Sequence, residues 1–425
     1  MLIRAMWDAD IRSGYKIPLL FFMLALIIHF APIIMGKEYL SSMFLLVIFF
    51  VLIIKKGLPI THTIIYFTVY TILISTIDLI AVYFISSSFL SSLSGLVYNF
   101  LPLVAFIVGN MFSAIKLNMK HFDLTVFFIG FLQSLMGVLQ LYSNYVQVTT
   151  LNLFSNFDKY EEYFAENNIR VLGSLGNPNY YGEFIGWFIL LIMFYYIPKY
   201  KRIRYRLIFS LTLCISTYAI LLSQSRTALI VLVAGIFLIG SLFTKYKIFV
   251  FPIAVLASLW AFNYLDVILG NLRGGVNSAS SLGGRSEIWN SIINNYVVPL
   301  DWNFIYGYGS AYVSNYITEP HSYYLQVMLE YGALGLGAYI LLICLFFYKA
   351  LKTRNRFMKI LLFTCLITIL VSDLTSEFSA HIKLGTFFYF LLGFLTTNPE
   401  RLRSPKGCPG KVDTELVKGN IEKAV

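Results

Sequence analysis

Residues 17–35 read IPLLFFMLALIIHFAPIIM, a run of 19 residues in which His29 is the one ionisable side chain. About 20 apolar residues in a helix cross the hydrocarbon of a bilayer. The run follows Lys16 directly and is long enough to span, which marks a retained anchor and not a cleaved signal peptide. Runs of the same kind recur along the chain. They place spans near 17–35, 39–54, 60–84, 89–115, 122–142, 180–197, 205–223, 227–243, 247–264, 322–347, 357–374 and 383–397. The fold class that follows is all-α: a polytopic membrane protein of about 12 transmembrane helices with a large external loop containing short helices.

Composition agrees. Of 425 residues 58% are hydrophobic and only 12% are Asp, Glu, Lys or Arg, with 38 Phe and 30 Tyr. A soluble domain carries about twice that charged fraction. A soluble enzyme, a disordered chain and a secreted disulfide scaffold are all excluded. The four cysteines, Cys214, Cys344, Cys365 and Cys408, form no Cys-x-x-Cys, so neither a disulfide framework nor a zinc knuckle is indicated.

The net charge of +11 reports orientation rather than nucleic-acid binding. With the N-terminus inside, 25 of the 32 Lys and Arg residues fall on the cytoplasmic side. The outside set is Lys37, Lys159, Arg170, Arg226, Arg273, Arg285 and Lys383. Both termini are then cytoplasmic. The chain divides into a cytoplasmic N-terminus (1–16), an N-terminal transmembrane scaffold (17–142), an external loop (143–179) and transmembrane helices carrying a Ser-x-Ser-Arg turn (180–264). A large external catalytic loop (265–321), C-terminal transmembrane helices (322–397) and a disordered, Pro/Gly-rich cytoplasmic tail (398–425) complete it. The cytoplasmic loops leave no room for a nucleotide-binding domain, and there is no G-x-x-x-x-G-K-[ST].

This topology makes external cations scarce, so each bears on function. Arg226 lies in Ser223-Gln-Ser-Arg-Thr227, a turn too short to be a loop in water. A snorkelling Arg would suit a membrane surface. A planar guanidinium beside hydroxyl and amide groups also suits two phosphate oxygens at once. Arg285 follows Gly283-Gly284 and opens an amphipathic stretch with Ile288, Trp289, Ile292 and Ile293 at helical spacing. The bland reading there is a solvated loop arginine. Arg170 precedes Gly173-Ser-Leu-Gly-Asn-Pro-Asn179.

His321 follows Pro320, which suits the first turn of a helix. An imidazole at a helix N-terminus sits in a phosphate-friendly field and can accept a proton near neutral pH. A lone histidine is more often structural, but this one shares its face of the membrane with the arginines. Ser322, Gln326 and Glu330 recur on one helix face below it. On an ideal helix Glu330 points away from His321, which gives it a structural or cavity-lining role ahead of a catalytic one. Gly332, Gly335 and Gly337 are expected to allow close helix packing. Asp8-Ala9-Asp10 spells D-x-D on the cytoplasmic side without a nucleotide-sugar domain and reads as solvated acids. No external His/Asp metal set is evident, and metal-free chemistry is expected.

In order along the chain, Arg170, Gly173 and Asn177-Pro178-Asn179; Ser223-Gln224-Ser225-Arg226; Gly284-Arg285-Ser286-Glu287-Ile288-Trp289; Gly307-Tyr308-Gly309; and His321-Ser322-Tyr323-Tyr324-Leu325 followed by Glu330-Tyr331-Gly332-Ala333-Leu334-Gly335 resemble the motifs of the O-antigen ligase / O-antigen polymerase family. Ser322 stands where that family often has Asn. The resemblance covers roughly residues 170–340 and implies a GT-C-like glycosyltransferase, metal-independent and without cofactor, in the bacterial inner (plasma) membrane. Its active site would face the periplasmic or extracellular side. The donor would be an undecaprenyl-diphosphate-linked oligosaccharide. The acceptor would be a lipid-linked repeat unit or lipid A-core, with membrane lipids, a flippase and a chain-length regulator as further partners and no nucleic acid. The resemblance puts diphosphate binding on Arg226 and Arg285, with Arg170 as a third candidate, and activation of the acceptor hydroxyl on His321. Ser223, Ser225, Asn179, Ser322, Gln326 and Glu330 would line the cavity.

Within that family the preferred expectation is a polymerase of O-antigen, capsule or exopolysaccharide, with an O-antigen ligase as the alternative. A lipid-linked oligosaccharide flippase also fits twelve spans, but transporters concentrate ionisable groups and broken helices near the midplane. Here the polar motifs gather in external segments.

Overall fold

The computed structural model describes residues 16–32, 39–58, 60–85, 89–114, 119–155, 160–164, 169–243, 285–317 and 319–396. The expected span 247–264, the first part of the large loop, the acidic Asp8/Asp10 pair and the tail 398–425 lie outside the described residues. Every regular element within them is helical. In order they are α1 (Lys16–Phe30), α2 (Tyr39–Lys56), α3 (His62–Ile85), α4 (Phe89–Ala114), α5 (Met119–Tyr142), α6 (Asn144–Phe154), α7 (Tyr160–Phe164) and α8 (Pro178–Leu191). Then follow α9 (Ile203–Ser223), α10 (Arg226–Phe243), α11 (Arg285–Ile292), α12 (Trp302–Tyr306), α13 (Ser310–Tyr316), α14 (Tyr323–Lys352), α15 (Arg356–Thr375) and α16 (Ile382–Thr396).

Helices occupy eleven of the twelve intervals expected to span. Seven of them are long and apolar enough to cross a membrane, and four more are shorter apolar helices. The polarity of the bundle is that of a lipid-embedded protein. On α9 the residues Ile203, Leu207, Leu211 and Leu221 are exposed while Thr212, Ser216 and Ser223 are buried. Backbone groups in lipid must be satisfied within the segment, which a continuous helix does.

The short helix α16 is the innermost element. From Lys383 to Thr396 every residue is buried, so its apolar sequence answers to protein neighbours. Its most extensive contact is with α4. A Cβ on Gly109 would fall 2.0 Å from the Phe390 carbonyl oxygen, and one on Gly393 2.0 Å from that of Phe106. The two backbones therefore touch where both side chains are missing. Around this crossing Phe21, Phe112, Phe390 and Phe394 pack ring to ring.

Helix α8 lies just outside, against α9, α10 and α15, and continues through a π-helical turn, Ile192–Tyr196, to Lys199. That turn delivers Tyr195 and Lys199 to Asp123 of α5. The carboxylate accepts hydrogen bonds from Tyr195 Oη at 2.7 Å, Lys199 Nζ at 2.5 Å and Tyr200 Oη at 2.5 Å. Farther along α5, Gln140 Oε1 accepts from the backbone N–H groups of Leu172 and Gly173 at 3.0 and 3.2 Å. Gln133 reaches Ser174 through both ends of its amide. Two glutamines thus hold the segment leading into α8.

Lys383, counted above among external cations, is buried. Its ammonium donates to the Ser174 carbonyl at 2.8 Å and lies 4.8 Å from the centre of the Phe154 ring. The positive-inside count treats every Lys alike, and here the charge serves the loop below Asn177 from within the core.

Candidate active site

Four segments, far apart in sequence, build the site. The first is the turn into α8. Asn177 caps the helix, its Oδ1 accepting from Asn179 N–H at 2.8 Å, and Pro178 takes the first helical position, where a missing N–H costs nothing. Arg170 bridges this turn to the next segment. One guanidinium nitrogen donates to Asn179 Oδ1 at 3.1 Å and Nε donates to the Ser223 carbonyl at 3.3 Å.

The second segment is the Ser-x-Ser-Arg turn between α9 and α10. Gln224 adopts a left-handed backbone, φ 49°, and its amide donates to the Ile169 carbonyl at 3.1 Å. Ser223 Oγ donates to the Ile220 carbonyl, and Ser225 Oγ accepts from Ala228 N–H as the cap of α10. Both serines are buried. Their hydroxyls therefore shape the turn and present Arg226 at the start of α10, where the sequence suggested direct cavity lining.

The third segment carries Arg285. It opens α11, whose Ile288 and Ile292 pack with Tyr296, Tyr308, Val313, Ile317 and Leu329. Gly307-Tyr308-Gly309 then docks on α14. Tyr308 N–H donates to the Leu329 carbonyl at 2.8 Å and Gly309 N–H to that of Glu330 at 2.9 Å. This is possible because α14 is broken at Gly332, with φ 64° and ψ −167°. A Cβ on Gly307 would stand 2.2 Å from the Glu330 oxygen, and one on Gly332 2.3 Å from that of Ile305. The expectation that Gly332 serves helix packing is corrected: it breaks the helix to admit the Gly-x-Gly segment. Nothing lies within 4 Å of a Cβ on Gly337. The N-terminal half joins here too, since Asp78 Oδ1 accepts from Ser310 N–H and Oδ2 from Asn99 Nδ2, each at 2.8 Å.

The fourth segment is His321 with the turn after α15. His321 does not begin a helix as expected. It sits before the cap residue Ser322 in a left-handed conformation, φ 51°, and α14 starts at Tyr323. Its N–H donates to Glu377 Oε1 at 3.2 Å, and the preceding Pro320 carbonyl accepts from Trp289 Nε1 of α11 at 2.7 Å. Ser322 is buried, its hydroxyl donating to the Asp373 carbonyl at 3.3 Å. Gln326 Nε2 donates to Glu330 Oε1 at 2.9 Å, while the buried Gln326 Oε1 has no partner among the described residues.

Electrostatics tie the segments together at Arg285. Burial lowers its pKa, the carboxyls of Glu183 and Glu377 oppose that, and Arg226 adds to the lowering. Burial likewise lowers the His321 imidazole below its ordinary value of 6.5, with Glu319 raising it and Arg285 lowering it. Burial pushes Glu377 up to about 9, helped by a hydrogen bond with the Glu319 carboxyl. Arg285 is thus the common neighbour of Arg226 and His321, which stand 95 residues apart in the chain. Glu319, His321 and Glu377 also present ligand atoms within 4.8 Å of one another, the one grouping of His, Cys, Asp and Glu among the described residues with a spacing that suits a cation.

Two participants, Glu183 and Glu377, were not singled out from sequence. Glu183 of α8 is buried, accepts from Ser376 Oγ at 3.1 Å through Oε2, and has no partner for Oε1 among the described residues. Glu377 and Trp289 anchor His321. Glu183 lies four residues beyond Asn179 and was hidden in an apolar run. Glu377 lies 56 residues beyond His321, so no spacing rule joins them.

A bundle of apolar helices around an apolar core, with arginines and a histidine on the segments at one end, defines an integral membrane protein with a built polar site. Residues 211–340 match the family model described as Wzy_C, O-antigen ligase, which supports the resemblance read from the sequence motifs over that stretch. The matched stretch contains Arg226, Arg285 and His321, whereas Arg170, Glu183 and Glu377 lie outside it. No curated protein matches the chain.

Proposed function

We propose that this protein is a glycosyltransferase that moves a glycan from undecaprenyl diphosphate to a hydroxyl of an acceptor glycan at the outer face of the inner membrane. The observation that carries this reading is that the charges of Arg226 and Arg285 and the His321 imidazole lie within one another's electrostatic reach, Arg226 acting on Arg285 and Arg285 on His321. In the step, an acceptor oxygen attacks the anomeric carbon as the bond from that carbon to the phosphate oxygen breaks. The electron pair of the broken bond goes to undecaprenyl diphosphate. The guanidinium groups of Arg226 and Arg285 meet the growing negative charge. The acceptor proton passes to His321, whose burial and proximity to Arg285 favour the neutral, proton-accepting imidazole. Arg170 holds the Arg226 turn against the Asn177–Asn179 turn, and through that turn it offers a third positive charge. No resident metal enters this scheme.

The preferred product is a surface polysaccharide extended by one repeat unit, with donor and acceptor both lipid-linked. The test is transfer by purified protein from a lipid-diphosphate glycan with and without chelator. Transfer that survives chelation and is lost in Arg226→Ala and His321→Ala supports the reading. Transfer that needs an added divalent ion, or persists in both variants, overturns it. A ladder of surface polysaccharide separates the two products: loss of a polymerase leaves single repeat units on the carrier, and loss of a ligase strands long chains there.

A further inference from the structure

His321 is one of three residues other than glycine with positive φ among the described residues. L-residues rarely take that conformation unless their surroundings impose it, and such positions cluster at functional sites. Here the constraint is visible bond by bond. The His321 N–H is taken by Glu377 Oε1 at 3.2 Å and the Pro320 carbonyl by Trp289 Nε1 at 2.7 Å. Downstream, Tyr323 N–H donates to the Ser376 carbonyl at 3.1 Å, which brings the Ser376-Glu377 pair alongside the start of α14.

The two anchors come from different places. Glu377 follows the end of α15 and is buried, next in the chain to Ser376, whose hydroxyl donates to Glu183. Trp289 lies one helical turn after Arg285 on the same face of α11. The indole therefore ties the histidine's loop to the helix that delivers the arginine. The apolar packing of Ile288 and Ile292 holds α11 near this loop, and the indole bond adds a directional link at Pro320 itself.

We propose that Glu377 and Trp289 are positioning residues that hold His321 in its left-handed backbone and in register with Arg285. The proposal rests on the reading of His321 as the base. Glu377 sets the height and direction of the imidazole through the main chain, and Trp289 fixes its distance from the arginine that grips the diphosphate. Neither contacts the reacting atoms. Their effect is on how well base and leaving group are aligned, which is a kcat effect: a displacement of about 1 Å at a reacting centre costs on the order of 100-fold.

The experiment measures kcat and donor KM for transfer by the full-length protein in Trp289→Phe, Glu377→Ala, Glu377→Gln and His321→Ala, with unfolding temperature recorded for each. Trp289→Phe keeps an aromatic ring and removes only the indole donor. Glu377→Gln keeps the acceptor oxygen that Glu377→Ala lacks. The expected result is a fall in kcat of about 10- to 100-fold in Trp289→Phe and Glu377→Ala, with donor KM within about twofold of the parent. Glu377→Gln is expected to recover most of the loss seen in Glu377→Ala. Parent-like kcat in Trp289→Phe and Glu377→Ala, beside an inactive His321→Ala, overturns the proposal and leaves the base in place. A raised KM with unchanged kcat overturns it as well, since that is a binding effect. An active His321→Ala overturns the reading of the base itself. Should Glu377→Ala fail to fold, the kcat and KM of Trp289→Phe decide.

Discussion

At the scale of the residue, the proposed reaction depends on the proton affinity of one imidazole, that of His321. Burial and Arg285 lower the pKa of His321, and Glu319 raises it. The base works in its neutral form, so kcat/KM should be flat near neutral pH and fall as the pH drops through the lowered pKa, below about 6.5. Glu319→Gln removes the raising influence, so the acid limb should move to lower pH. A pH–rate profile checks this, and an acid limb that moves up in Glu319→Gln contradicts it. Arg285, the other charge facing the imidazole, stays in place in that variant, and Glu377 loses its carboxyl neighbour. The sequence singled out His321, Arg226 and Arg285 because charged and ionisable side chains are scarce in an apolar chain. It concealed Glu183 and Glu377, because an isolated acid near a span carries no pattern that says which distant residue it will meet.

At the scale of the element, the decisive feature is the break in α14. Gly307 and Gly332 each have positive φ, and each would drive a Cβ into a backbone oxygen of the other segment. Gly332→Ala or Gly307→Ala should cost more than about 2 kcal/mol at the docking point and lower transfer at least tenfold, by the sum of a strained φ and a backbone clash. Gly337 meets open space, and Gly337→Ala should be neutral or stabilise by about 0.5–1 kcal/mol through helix propensity alone. Thermal unfolding in detergent separates the two cases. Equal tolerance at Gly332 and Gly337 would contradict the docking role. In sequence the three glycines of α14 look alike, since small residues in an apolar helix suit packing and breaking equally. What distinguishes them is a partner, Gly307-Tyr-Gly309, that lies some 25 residues away. Helix positions were far more legible. Hydropathy alone located eleven of the described helices, because a lipid-spanning helix must be apolar along its whole length.

At the scale of the whole molecule, the apolar exterior and the buried polar links divide the work of stability. The sequence suggested a generic N-terminal scaffold, yet Asp78, held by Asn99, reaches the Ser310 N–H and Asp123 holds the far end of α8. Charge counting could not foresee this, for it assigns a residue to a side of the membrane and not to a partner. Asp123→Ala would leave the ammonium of Lys199 and the hydroxyls of Tyr195 and Tyr200 without their shared acceptor. Lys199 is 23% exposed, which tempers the penalty for breaking a buried pair to about 2–3 kcal/mol. A lowered unfolding temperature with unchanged donor KM is expected; an unaltered unfolding temperature would show that the link carries no stability.

One binding measurement separates the grip on the diphosphate from the removal of the proton. Purified protein is titrated with undecaprenyl diphosphate, the released product, in the parent, Arg285→Ala and His321→Ala, and single-turnover transfer is followed in the same three proteins. Parent-like product affinity in His321→Ala, affinity weakened by about tenfold or more in Arg285→Ala, and transfer lost in both are the expected results. Transfer at the parent rate by His321→Ala, or undiminished product binding by Arg285→Ala, would contradict the division of labour between imidazole and guanidinium.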